Sequence, residues 1–288
     1  MKYYIMLLLY YLINNYIGGL LVDILCEIQK MYNDFSDKEK NIADYIIKNS
    51  NMIKNINIKE LAKNTGTSGA TITRFSKKIS CDSFVDMKIK LNAHKVEKEH
   101  SNEMDMFSYV YQYYNEVIEK TKYLIDKNSI FNIVNEIKTA NKIYIYGVGS
   151  SGLTGDEIMQ RLLRMGFNVH CISDSHMMII NSSIASKDDL VIGISISGET
   201  TEVVNALRIS KNNGAKVVSI TSFENSSITK YSDINFTVYN AKFVDKERFI
   251  NSQFSIMYLF DLISMVLLKD SNLSNKMQIT VDAILKGV

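Results

Sequence analysis

Residues 191–203 read VIGISISGETTEV, an apolar run that ends in Ser195, Ser197, Gly198, Glu199 and Thr200. A second cluster, GVGSSG at 147–152, follows the apolar run Ile143–Tyr146 and holds Ser150 and Ser151. Hydroxyls supply hydrogen-bond donors, and glycine lets a backbone come close to an anion. Where such loops follow parallel strands and open helices, the free amides of the helix starts converge on the same crevice. The chemistry this suits is holding a phosphate group. Ordinary turns use the same residue types, so the argument rests on two clusters rather than one.

Other chemistries find less support. GVGSSG matches GxGxxG through Gly147, Gly149 and Gly152, and Asp174 stands roughly where an acid would hold a ribose, but a lone match of this kind is unspecific. Cys26, Cys81 and Cys171 are far apart, odd in number and without CxxC spacing, and His94, His100, His170 and His176 form no metal-ligand pattern. Neither a disulfide framework, a metal nor a cofactor is expected, and reduced intracellular thiols are the simple reading.

The elements that position the clusters follow from periodicity. Ile143–Tyr146 reads as a strand, Gly147–Gly152 as a loop and Asp156–Met165 as an amphipathic helix. The same grammar recurs at Phe167–Ile172, at Leu190–Ile194 with a helix from Thr200, and at Lys216–Ile220, while Phe107–Ala140 is helical throughout. Apolar strands alternating with helices predict a parallel sheet covered on both faces.

The front of the chain has a different character. Ser36 and Glu39 form a capping box before the stripe Ile42, Ala43, Tyr45, Ile46 and Ile47. A further helix starts at Asn57 and ends at Gly66, and Thr67-Ser68 starts another, so IKELAKNTGTSGATITRFSKKI at 58–79 reads as helix, glycine turn, helix. In a helix-turn-helix the second helix enters the major groove of DNA with its N-terminal residues against base edges. Ser68, Gly69, Thr71 and Thr73 fall on that exposed face, Ile72 and Phe75 turn inward, and Arg74, Lys77 and Lys78 suit phosphates. From residue 31 to residue 100 there are 13 basic against 9 acidic side chains, and from 101 onward 18 against 20, a basic front and a slightly acidic back. That asymmetry fits a nucleic-acid module joined to something else.

Four segments are expected: 1–19, an apolar extension; 20–91, the helix-turn-helix domain; 92–106, a charged linker; and 107–288, the α/β domain. Residues 3–13 are apolar for 11 positions, too few to span a bilayer, and lack a signal-peptide cleavage pattern. No membrane association is expected, and the protein is read as cytoplasmic.

Together, IADYIIKNS, ELAKNTGTSGATITRFSKKI, IYIYGVGSSG, DLVIGISISGETTEV and GAKVVSITS resemble the RpiR family of bacterial transcription regulators from about Leu20 to the C-terminus. The resemblance implies an all-α helix-turn-helix domain followed by a three-layer α/β/α parallel-sheet sugar isomerase (SIS) domain. It implies that a phosphorylated sugar bound there alters affinity for operator DNA, within a homodimer or homotetramer. Ser151, Ser195, Ser197 and Thr200 match the family's phosphate-binding hydroxyls, Gly198 the glycine between them, and Glu199 lies where the ligand is capped. Ser219, Thr221 and Ser222 follow the next strand toward the sugar end. Ser80 and Ser83 stand where glycine is common, and Gln253 where the family has an arginine. SIS domains also occur in phosphosugar isomerases, which need a general base; Glu199 and His176 are the candidates here. Binding without turnover is the expectation, since an isomerase has no use for residues 58–79.

Overall fold

The computed structural model describes residues 23–49, 53–93, 106–240, 251 and 253–287. The apolar stretch 1–19, most of the charged stretch 92–106, and His94 and His100 with it lie outside them. The chain divides into two compact units, Met1–Met104 and Asp105–Val288. Among the described residues no helix is long and apolar enough to cross a membrane.

The first unit is helical: α1 (Ile24–Met31), α2 (Asp37–Lys48), α3 (Ile58–Thr65), α4 (Gly69–Lys78) and α5 (Phe84–Ala93). A side chain occupies each helix start. Asp23 accepts from the amides of Leu25 and Cys26, and Ser36 with Glu39 closes the expected capping box. Asn57, Ser68 and Ser83 accept from the amides of Glu60, Thr71 and Asp86. Between α3 and α4 the chain turns through Gly66 at φ 62°, with the Thr67 amide donating to Ala62 O at 2.9 Å and the Gly66 amide to Lys63 O. This glycine-ended pattern satisfies the last carbonyls of α3 and aims α4 across it.

Ile42, Ala43, Ile46, Leu61, Ile72, Phe75 and Met87 are fully buried, so α2, α3, α4 and α5 share one core. Phe35 packs on Phe75 with ring centroids 5.1 Å apart. Each of the Ile, Leu, Phe and Met side chains contributes about 1.5–3 kcal/mol through burial. That core fixes which face of α4 is left outside.

The second unit carries a five-stranded parallel sheet in the order β2-β1-β3-β4-β5, with β1 Lys142–Gly147, β2 Val169–Ile172, β3 Asp189–Ile194, β4 Lys216–Thr221 and β5 Ile234–Thr237. Its helices are α6 (Met106–Leu124), α7 (Lys127–Thr139), α8 (Ser150–Arg164), α9 (Ser175–Ile184), α10 (Thr201–Asn212), α11 (Phe254–Leu267) and α12 (Ser271–Lys286). Period-two alternation splits the strands between two cores. Ile143, Ile145, Ile192, Ile194, Val218 and Ile220 pack against α7, α8 and α11, while Tyr144, Tyr146, Val191 and Val217 pack against α9 and α10. The result is the three-layer arrangement expected from the alternation of strands and helices.

Three local expectations change. The helical stretch 107–140 is two helices, because Asp126 accepts from the Ser129 amide and starts α7 afresh. α8 begins at Ser150, so the second half of the glycine-serine loop is helix. β5, which the sequence reading did not assign, is four residues long; Ile234 and Phe236 pair with Val218 and Ile220, and between them Asn235 Oδ1 accepts from Ser219 Oγ.

Candidate functional site

Chain order reverses direction across the sheet between β1 and β3, since β2 lies on one side of that pair and β4 on the other. Register pairs Gly147 with Ile194, so the loops after β1 and β3 leave the sheet side by side. Neighbouring strands are about 4.8 Å apart, which puts both serine clusters in one crevice at the strand C-termini.

Small side chains shape the β3–α10 loop. Ser195 is buried, and its Oγ accepts from the Gly198 amide at 3.1 Å and shares hydrogen bonds with Thr200 Oγ1 at 2.9 Å and Ser197 Oγ at 3.4 Å. Ser197 is exposed, and its Oγ accepts from the Glu199 amide at 3.2 Å. Gly198 has φ 72°, and a Cβ there would stand 2.2 Å from Ser226 Oγ and 2.3 Å from Ser226 Cβ. Only glycine fits. Thr200 is the N-cap residue of α10, yet its side chain makes no cap bond, which leaves the first amides of α10 without a side-chain partner.

The β1–α8 loop repeats the device. Gly149 is the N-cap of α8 and has no side chain with which to cap it. Ser150 is exposed and Ser151 buried, and the Ser151 hydroxyl donates to Gln253 Oε1 at 3.5 Å. Thr154, one turn on, reaches the same oxygen at 3.5 Å. The carboxamide of Gln253, at the start of α11, therefore stands behind the loop where the RpiR resemblance expects a guanidinium. Gly152 and Gly155 let α8 lie close to the sheet: a Cβ on the first would be 2.6 Å from Ser173 Oγ, and on the second 2.7 Å from Cys171 Sγ. Gly152, the last glycine of the GxGxxG match, thus has a packing reason, and Asp174, the candidate ribose acid, accepts from the Met177 amide as the cap of α9.

Both oxygens of Glu199 are engaged, Oε1 by the Ser227 amide at 2.9 Å and Oε2 by the Ser227 hydroxyl at 2.5 Å. The residue ties the loop after β4 to the serine cluster. Ser226, Ser227 and Thr154 carry roles in this site that the sequence reading did not assign; the signals for them were Ser226-Ser227 two to three residues before Thr229 and a threonine one turn beyond Ser150-Ser151. Ser219 lies inside β4 and is fully buried against Asn235, away from the strand end, while Thr221 and Ser222 sit at that end and are also buried. His176 is exposed in the first turn of α9. Burial, and then its hydrogen bond with Asp156, push the Cys171 thiol up to about 12, so it offers no nucleophile behind the loop. Among the described residues no group of His, Cys, Asp and Glu is arranged to hold a metal ion.

On the first unit, Ile72 and Phe75 face the core and the opposite side of α4 is open. Ser68 and Arg74 are exposed, Gly69 and Thr71 half-buried, and Ser68 Oγ lies 2.9 Å from Thr71 Oγ1. Thr73 turns its hydroxyl back to Gly69 O at 3.0 Å. Lys77 is exposed, whereas the Lys78 ammonium has partners within the unit, Glu39 Oε2 at 3.1 Å and Asp34 O at 2.8 Å. Ser83 caps α5, and Ser80 has φ 62°, the left-handed region in which glycine is at ease.

Comparison with known proteins agrees with both units. The helix-turn-helix domain of the rpiR family matches residues 22–98, and the SIS domain matches residues 136–263. An uncharacterised HTH-type transcriptional regulator of Clostridium perfringens is 30% identical over 243 residues, covering 81% of this chain and 87% of that one. Another from Haemophilus influenzae is 26% identical over 260 residues, covering 86% and 90%. Among solved structures, the Vibrio vulnificus NanR protein complexed with ManNAc-6P aligns with a TM-score of 0.59 at 25% identity, over 92% of this chain and 99% of that one. The sugar isomerase domain of an RpiR transcription factor from Sphaerobacter thermophilus shares the fold, with a TM-score of 0.56 at 16% identity over 62% of this chain and 99% of that one. With a helix-turn-helix in its first unit and a SIS domain in its second, this chain belongs to the rpiR family of transcriptional regulators.

Proposed function

We propose that this regulator binds operator DNA through the open side of α4 and that a phosphorylated sugar, bound at the strand ends of β1 and β3, sets its affinity for that DNA. One observation carries the ligand half: two neighbouring helix starts are left without side-chain caps while hydroxyls from Ser151, Ser195, Ser197 and Thr200 gather around them. A phosphate supplies the missing acceptors and gains from both helix dipoles. Ser150 adds an exposed hydroxyl, and Glu199 holds the neighbouring loop in place. The likeness to NanR complexed with ManNAc-6P supports a sugar phosphate as the class of guest. On the DNA side, Ser68, Gly69, Thr71 and Thr73 are the candidates for base edges and Arg74 and Lys77 for backbone charge, while the Lys78 ammonium is held by Glu39 and Asp34 O.

The coupling is linkage between two binding events. In a homodimer or homotetramer, a ligand that favours one arrangement of subunits sets the separation of two recognition helices against one turn of DNA, about 34 Å. The isomerase alternative needs a base within reach of the substrate carbons, and Glu199, its best carboxylate, already accepts two hydrogen bonds from Ser227. Binding without turnover is our reading. The test is a mobility shift on DNA from upstream of the protein's own gene, titrated at fixed salt with a panel of sugar phosphates. One sugar phosphate should strengthen or release a specific shift; no shift under any condition, with turnover of one of the panel, would select the isomerase.

A further inference from the structure

We propose that the DNA-contact face extends onto the start of α2, where Lys38 and Arg74 flank a recess that seats one backbone phosphate of the operator. The inference rests on the operator-binding reading above and adds to it a contact on a helix outside the helix-turn-helix pair. The recess measures about 300 Å³ and is lined by Ser36, Lys38 and Glu39 from the beginning of α2 and by Thr71 and Arg74 from α4. Thr71 belongs to the first turn of α4, the end that faces base edges in this class of domain, so the recess lies next to the groove contact.

Charge says what it takes. Lys38 and Arg74 are exposed, and neither has a hydrogen-bond or ion-pair partner among the described residues. Glu39, the acid between them, is already neutralised: its Oε2 accepts from the Ser36 amide at 2.9 Å and from Lys78 Nζ at 3.1 Å. Burial alone would raise the Glu39 carboxyl, but the Ser36 amide and Lys78 outweigh it and hold the group below its ordinary value, so it stays ionised and paired. What remains to face an incoming group is two unpaired cations, beside the Thr71 hydroxyl that shares a hydrogen bond with Ser68 Oγ. A phosphodiester, with one charge and two free oxygens, is the matching anion on a DNA partner.

The same contacts give Lys78 a second role. Its ammonium is bonded to Glu39 and Asp34 O and lies 5.2 Å from the centre of the Phe35 ring. It acts as a positioning residue that keeps the Glu39 charge from repelling the phosphate, with Lys38 as the direct contact.

The experiment uses the full chain and a DNA fragment that the wild type binds. Lys38→Gln should weaken binding about tenfold on operator and unrelated DNA alike and make the salt dependence shallower by about one ion. Lys48→Gln removes the same charge from the exposed far end of α2, about 15 Å along the helix, and should do neither. Neutral methylphosphonate scanned along the operator should find one phosphate whose replacement erases the difference between wild type and Lys38→Gln, and the same phosphate should erase the effect of Arg74→Gln. Unfolding temperatures of the three variants report whether any loss is structural. Lys38→Gln behaving like Lys48→Gln, or the Lys38 and Arg74 effects mapping to different phosphates, would overturn the inference while leaving operator binding intact. A wild type that binds no DNA would instead overturn both.

Discussion

Five helix starts in the first unit have a side chain on their free amides: Asp23, Ser36, Asn57, Ser68 and Ser83. In the second unit Asp126, Asp174 and Asp270 do the same for α7, α9 and α12. The starts of α8 and α10, at the switch point of the sheet, have no such partner although serines and threonines surround both, and neither does the start of α11, where Gln253 accepts from Ser151 of the first loop. The contrast is therefore one of position and not of composition. The hydroxyls at the switch point bond to each other and to loop amides, and none of them caps the helix starts beside them. A cap is worth about 1 kcal/mol to a helix, so leaving two adjacent helices uncapped is intelligible where a guest provides the acceptor.

The comparison can be broken at its most constrained residue. Gly198→Ala puts a methyl group on Ser226 in a backbone conformation that L-residues avoid. It should destabilise the second unit by about 3 kcal/mol, read by chemical denaturation, and abolish sugar phosphate binding. A second change converts one kind of helix start into the other. Thr200→Asp would place a carboxylate on the bare amides of α10, so binding of sugar phosphates should fall by about a hundredfold in calorimetry, since like charges now share the site. Stability should hold or rise by several tenths of a kcal/mol. Retained binding would mean that these amides do not meet the ligand.

Arg74→Gln sharpens the comparison from the other unit. It should make the salt dependence of DNA binding shallower by about one ion and leave sugar phosphate affinity unchanged. An unchanged slope would remove Arg74 from the contacts to DNA phosphates. The smallest effect is expected at Ser80, the one residue other than glycine with a left-handed φ among the described residues. Ser80→Gly should stabilise the first unit by about 1 kcal/mol in thermal unfolding, with no change in DNA affinity.

The sequence made the order and type of most elements legible because they are written in local signals. The Ser36 capping box, the Gly66 turn and the apolar runs of β1, β3 and β4 are examples, and all are present in the structure. β5 escaped because it is only four residues long, and its apolar Ile234 and Phe236 alternate with Asn235 and Thr237 instead of forming a continuous run like those of β1, β3 and β4. The start of α8 was misplaced by six residues, since glycines at 152 and 155 look like a loop until the close approach of Ser173 and Cys171 explains them.

The candidate site was legible as a cluster of hydroxyls but not as a division of labour. That Ser195 organises the loop, that Glu199 is committed to Ser227, and that Lys78 is committed to Glu39 all depend on contacts between residues 3 to 39 positions apart. Spacing along a chain reports the near partner in such bonds and says little of the far one.

The central claim is that a sugar phosphate at the strand ends of β1 and β3 controls DNA binding. The most direct measurement is a mobility shift at fixed salt, comparing wild type with Ser197→Ala across the sugar phosphate panel. Ser197 is exposed at the crevice, and its removal gives up the 3.4 Å contact with Ser195 but leaves the Ser195 bonds to Thr200 and to the Gly198 amide in place. The account predicts that one sugar phosphate changes the wild-type shift, and that Ser197→Ala binds the same DNA equally well without ligand but no longer responds. A variant that still responds at the same ligand concentration, or that loses DNA binding together with the response, would contradict it.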